Sequence, residues 1–243
     1  MNAFILLLIG HFLADFSFQS YRLAELKQEN VKYLFIHTLI YWVFILLPIA
    51  LFAGLVQAIM FYVIILVSHF LIDYFRIKLN KKYNSISFNF WSFIIDQILH
   101  IAILFIFSLP LTKLNVFGEW LSSQINIGYN LNYLAKVVLA FILVLSPASV
   151  FIKHLFNYVF VKENESNICL EDKENRVGSL IGKLERILVL IFGMMGLYSS
   201  IALVLTAKSI ARFKQLEDKE FAEKYLVGTL ISILIAILCL FIS

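Results

Sequence analysis

Seven long apolar stretches, at about 2–19, 33–54, 55–79, 90–109, 134–156, 184–206 and 225–242, alternate with short polar connections. Each is close to or above the roughly 20 residues that an α-helix needs to cross a bilayer. Within most of them apolar residues fall on every face rather than on one, which is the pattern of a helix surrounded by lipid or protein. Between them lie a mixed-charge segment (21–32), a tight turn near Gly54, a basic link with Arg76, Lys78, Lys81 and Lys82, an Asn-rich connection (113–132), a charged loop (162–183) and a charged stretch (208–224). The pattern predicts an all-α, polytopic transmembrane bundle of six or seven membrane helices.

Composition sharpens this. Hydrophobic residues make up 61% of the 243 positions and charged residues 15%, with a mean hydropathy of +0.89; a soluble domain carries roughly 25% charged residues. The net charge of +4 is spread over short connections, without the concentrated basic face that nucleic acid requires. Two cysteines, Cys169 and Cys239, are too few for a disulfide framework or a thiolate metal site. The first residues lack a basic lead-in and run directly into His11 and Asp15, so they are expected to form a retained first helix rather than a cleaved signal.

The basic residues predict an orientation, because Lys and Arg near short loops resist translocation. Arg22, Lys27 and Lys32 follow the first stretch and four basic residues follow the third, which places the N-terminus outside and these links in the cytoplasm. Simple alternation then sends the basic 208–224 segment outside, against its charge. Either the 184–206 stretch re-enters, or the last connection violates the rule. The expected organisation is an N-terminal membrane half (1–109), an external Asn-rich loop (110–133) and a C-terminal membrane half (134–243).

The chemistry lies inside the apolar runs. Four of the five histidines (His11, His37, His69, His100) and three aspartates (Asp15, Asp73, Asp96) occupy them. An ionised side chain at the centre of a lipid-facing helix costs about 2.5–3.5 kcal/mol on insertion scales, so such residues face the bundle interior and mark function. His11/Asp15, His69/Asp73 and Asp96/His100 are each four apart, hence on one helical face. Gln19 and Ser92 extend two of these faces, and Tyr41 follows His37 at the same spacing. The topology brings all four faces into one leaflet, as one site with up to seven N/O donors.

Imidazole and carboxylate without thiolate suit zinc, manganese or iron. The alternative is a set of hydrogen-bonded pairs that only pin helices together. His11-Phe-Leu-Ala-Asp15-Phe recurs as His69-Phe-Leu-Ile-Asp73-Tyr, which predicts a duplicated helical hairpin. His154, beside Lys153, reads as an interfacial residue. Lys183 and Arg186, at the opening of the sixth stretch, and the pair Lys208 and Arg212 are candidates for binding an anionic substrate, or else ordinary headgroup contacts.

These residues resemble a family of bacterial membrane proteins, the domain of unknown function 3307. The likeness rests on His11-Phe-Leu-Ala-Asp15-Phe-Ser-Phe-Gln19, His37, His69-Phe-Leu-Ile-Asp73 and Asp96-Gln97-Ile-Leu-His100, and on the later Ile181-Gly182-Lys183-Leu184-Glu185-Arg186, Ala207-Lys208-Ser209-Ile210-Ala211-Arg212-Phe213 and Gly228-Thr229 patterns. It implies a multi-pass protein of the bacterial cytoplasmic membrane and supplies no reaction. A looser analogy is to inner-membrane metal-dependent hydrolases. Three functions follow: a metal-dependent hydrolase of a phosphate-containing lipid or isoprenoid, an ion- or proton-coupled transporter using the same cluster, and a non-catalytic scaffold. Membrane lipids are the expected partners, and no nucleic acid is.

Overall fold

The computed structural model describes residues 2–52, 55–113, 131–160 and 173–242; side chains are described for these except at 51, 52, 55–58, 112, 113 and 173–176. The described residues are almost all helical, without strands: α1 Ala3–Phe12, a π-helical turn Leu13–Ser17, α2 Tyr21–Glu29, α3 Val31–Phe52, α4 Leu55–Tyr83, α5 Ile86–Lys113, α6 Leu131–Phe160, α7 Lys173–Met194, α8 Tyr198–Ala211, a 3-10 turn Phe213–Glu217 and α9 Lys219–Leu240. Among the described residues five helices are long and apolar enough to cross a membrane, or six if α1 and α2 form one broken span. Large apolar side chains such as Phe35, Val43, Leu47, Ile98 and Ile106 point outward. In water such a surface would be a liability; in a bilayer it is the lipid-facing coat. The chain is thus built as a multi-pass membrane protein.

Contacts divide the chain into Met1–Leu139 and Ala140–Ser243. In the first unit α1 packs on α3 and α5, α3 on α4, α4 on α5, and α2 on α3. Its apolar core includes Leu7, Ile45, Ile49, Ile65, Leu104 and Leu111. Gly10 permits the closest approach, since a Cβ there would sit 2.6 Å from the carbonyl oxygen of Phe44 on α3. Only a residue without a side chain allows the two backbones this near.

Four sequence expectations change. The first stretch is not one helix to residue 19: α1 yields at Leu13 to a π turn, closed by Phe18 N–H donating to Leu13 O at 2.8 Å. After Ser20, whose hydroxyl accepts from Leu23 N–H, the chain turns by 84° into α2. The 21–32 segment is therefore a helix, not a connection, apart from its last residues. The basic link after the third stretch is also helical. Arg76, Lys78, Lys81 and Lys82 ride on α4, which stops at Asn84, a left-handed residue (φ 38°) that ends the helix before α5 starts at Ile86.

The 184–206 stretch is likewise two helices. Gly196 takes φ +72°, Leu197 N–H donates to Phe192 O, and Gly196 N–H donates to Gly193 O. This paired 6→1 and 5→2 bonding, with glycine in the left-handed position, terminates α7. The 14 residues of α8 span about 21 Å at 1.5 Å per residue, too short to cross alone. Residues 53, 54 and 114–130, which carry the expected tight turn and most of the Asn-rich connection, lie outside the described residues, as does Cys169.

The second unit has its own apolar core, with Ala140, Val144, Val189, Leu190, Ala236 and Cys239. Arg186 threads through it. Its guanidinium donates to Val144 O, Leu145 O, Ser149 Oγ and Ser232 Oγ. Two of these acceptors are backbone carbonyls just before Pro147, an interior proline that cannot donate its own N–H to the α6 ladder. Glu185 accepts from Lys208 Nζ at 2.7 Å.

Candidate metal centre

Four helices supply the first unit's polar cluster, three of them from regular α-helix and α1 through the π turn that follows it. On α1, His11 sits in the last α-helical turn beside Gly10, and Asp15 sits in the π turn. The π turn carries more residues per turn than an α-helix and is often found at functional sites. It is also why the two copies of the His-x-x-x-Asp repeat differ: His69 and Asp73 lie on uninterrupted α4. His37 comes from α3, and Asp96 and His100 from α5.

All seven residues converge. His11 and His37 are fully buried, and His69, Asp73, Asp96 and His100 are each at most 3% exposed. His37 Nε2 is the hub. It lies 3.3 Å from His69 Nε2, 3.4 Å from Asp73 Oδ2 and 3.5 Å from Asp15 Oδ1. Asp15 Oδ1 is also 3.7 Å from His69 Nε2, while its Oδ2 is 3.6 Å from His11 Nδ1. Three overlapping groups, His11/Asp15/His69, His37/His69/Asp73 and Asp73/Asp96/His100, each bring one ligand atom per residue within 4.8 Å of the others.

The rings themselves form a row. His37 and His69 have centroids 5.3 Å apart, His69 and His100 4.5 Å, and His100 and His11 5.4 Å. Tyr41, one turn beyond His37, stacks on His69 at 3.7 Å and floors the cluster.

Two of the three carboxylates have a fixed cation. Lys27 Nζ on α2 donates to Asp73 Oδ2 at 2.9 Å and to Gln19 Oε1 at 3.2 Å. Arg76 Nη1 donates to Asp96 Oδ2 at 3.2 Å, an oxygen that also accepts from Gln97 Nε2 at 3.0 Å. Asp15 has only imidazoles around it. The sequence pattern does not assign Lys27, Arg76 or Gln97 to the cluster. The first two look like topology markers because they lie just outside apolar runs, although Arg76 follows Asp73 by three positions and so shares its face.

Internal hydrogen bonding does not close this cluster. Asp15 Oδ1, Asp96 Oδ1, His100 Nε2 and the Nδ1 atoms of His11, His37 and His69 are buried without a hydrogen-bond partner. Buried polar groups are ordinarily paired, so a concentration of orphans in one place is the mark of a site built for something besides itself. A cluster that pins helices only by hydrogen bonds would pair its members at about 2.7–2.9 Å where charge assists; the separations between the His and Asp atoms are longer. The buried His and Asp groups can hold a metal ion.

Of the basic residues expected to meet an anion, Arg186 and Lys208 are engaged within the second unit as described above. Lys183 is half-buried on α7, and half-buried Arg212 donates to Gln215 Oε1 at 3.1 Å. His154 is half-buried on α6 in the same unit. No curated protein and no solved structure matches the chain. Residues 3–127 match the family model described as "Protein of unknown function (DUF3307)"; that span holds the whole His/Asp cluster with Lys27 and Arg76, and the patterns at Lys183, Lys208 and Gly228 lie beyond it. With half of its length matched, and with the cluster inside the matched half, the chain belongs to the DUF3307 family.

Proposed function

We propose that this protein is a membrane-embedded hydrolase that uses a divalent metal, zinc, manganese or iron, to cleave a phosphate-containing lipid or isoprenoid at the cytoplasmic leaflet. One observation carries the reading. The separations of 3.3–3.7 Å among His37 Nε2, His69 Nε2, Asp15 Oδ1 and Asp73 Oδ2 are too long for good hydrogen bonds and close to the edge of a tetrahedron around one ion. With metal–ligand bonds of about 2.0–2.1 Å, that edge is about 3.3–3.4 Å.

Asp15, His37, His69 and Asp73 are the ligands, and His11 steadies the second oxygen of Asp15. The charges agree, since Asp15 is the carboxylate without a fixed cation. A divalent ion held there supplies Lewis-acid polarisation and activation of water. The chain's own residues do the rest. Lys27 and Arg76, with side chains 12% and 21% exposed, reach the edge of the cluster and neutralise the phosphate. Apolar Leu34 and Phe93 nearby in sequence on α3 and α5 are buried and keep bulk water from the ligands. Lys183 and Arg212 serve as headgroup contacts.

The test is phosphate release from isoprenoid and glycerolipid phosphates by protein in mixed micelles, with and without chelator. The reading expects release that stops with chelator and in His37→Ala. No release from any of these substrates by metal-loaded protein would overturn it.

A second reading, proton-coupled transport, is favoured by the contiguous row of four imidazoles, which suits proton relay. Proteoliposomes distinguish it: a proton flux abolished in His69→Ala, without phosphate release, selects transport.

A further inference from the structure

Resting on the metal reading above, we propose that the cluster holds a second divalent cation, bound by Asp73, Asp96 and His100, so that the centre is dinuclear with Asp73 shared between its two halves. The geometry of this group is independent of the first ligand set except at Asp73. One atom from each of the three residues lies within 4.8 Å of the others, and all three residues are at most 3% exposed.

Two atoms of these residues carry lone pairs to which nothing donates. His100 Nδ1 donates to the carbonyl oxygen of Asp96 at 2.8 Å. That bond assigns the ring proton to Nδ1 and leaves Nε2 a bare acceptor, the arrangement that orients a metal-binding imidazole. Nε2 is buried without a partner, and so is Asp96 Oδ1. Asp96 Oδ2 is held by Arg76 and Gln97, which fixes the carboxylate plane while leaving Oδ1 turned away from both. A carboxylate oxygen and an imidazole nitrogen cannot satisfy each other without a shared proton or cation.

Asp73 links the two groups, because it belongs to both His37/His69/Asp73 and Asp73/Asp96/His100. The His69 and His100 rings, one from each half, lie 4.5 Å apart, so the two positions adjoin, as the paired ions of two-metal sites do. Two divalent ions together with Lys27 and Arg76 outweigh three carboxylates. The loaded centre carries excess positive charge and selects an anionic ligand, which deepens the phosphate assignment.

The experiment is Mn²⁺ binding to the full chain in detergent, read as stoichiometry and by electron paramagnetic resonance, for wild type, His100→Ala and Asp96→Asn. The proposal expects about two equivalents and a spin-coupled signal in wild type, falling to about one equivalent and an isolated six-line signal in either variant. Asp96→Asn keeps an oxygen for Arg76 and provides the result if His100→Ala does not fold. One equivalent in wild type that is unchanged in both variants overturns the second position and leaves the first centre standing. Two equivalents retained in both variants also overturns it. No binding by wild type overturns both.

Discussion

His37 Nε2 on α3 and Asp15 Oδ1 in the π turn after α1 stand 3.5 Å apart, inside a bundle where the Gly10 Cα lies against the backbone of Phe44. The separation depends on how closely α1 and α3 approach, and so on the missing side chain at position 10.

Gly10→Ala tests this dependence. A Cβ placed 2.6 Å from the Phe44 carbonyl oxygen must push α1 and α3 apart, and overpacking of this kind costs about 1–3 kcal/mol. The expected outcome is a protein that still inserts, with a lowered thermal midpoint and a metal affinity reduced at least tenfold. Wild-type affinity would show that the close approach does not set the site.

Lys27 should tune the cluster rather than build it. Its ammonium and His37 Nε2 address the same oxygen, Asp73 Oδ2. Lys27→Met keeps the aliphatic stem and removes the charge, so Asp73 is freed to serve a cation more fully. Metal affinity is expected to rise, by threefold or more, while turnover of a phosphate substrate falls because a neutralising cation is gone. Titration of metal against both proteins reads the first effect, and phosphate release reads the second.

Arg186 belongs to stability. Arg186→Met removes the one charged donor that ties the carbonyls of Val144 and Leu145 to two serine hydroxyls, and hydrogen bonds to charged groups contribute about 1.5–3 kcal/mol each. The variant should melt earlier in detergent and bind metal as wild type does. A loss of metal at unchanged melting would give Arg186 a part in the site.

Orientation is open to labelling. The orientation that the basic residues predict, with the N-terminus outside, would put exposed Lys82 at the end of α4 in the cytoplasm. In a background with Cys169 and Cys239 replaced, Lys82→Cys is expected to react with an impermeant maleimide only after the membrane is opened. Reaction in intact cells would reverse the orientation.

What the sequence revealed follows from the cost of polarity in lipid. His11, His37, His69, His100 and their aspartates stand out because nothing else in an apolar run explains them, and i,i+4 spacing assigned each pair a shared face. Their partners were harder to see. In the sequence Lys27 is one charge in a mixed-charge segment, yet that segment is α2, folded back by 84° after a π turn for which the residues carry no clear signal. Gln97 hides beside Asp96, where it donates to the carboxylate while its Oε1 lies 3.3 Å from His11 Nε2. The break at Gly196 is one glycine in an otherwise apolar stretch; only its left-handed backbone distinguishes it from Gly193, which packs against Leu240.

The most direct test of the central claim is the metal content of protein purified without chelator, measured by mass spectrometry for wild type and Asp15→Asn. Asp15 is the carboxylate that imidazoles alone surround, so the account expects bound zinc, manganese or iron in wild type and at least a tenfold loss in the variant, with both proteins equally helical. Wild-type protein that holds no divalent metal even after reconstitution, or an Asp15→Asn variant that holds as much as wild type, would contradict it.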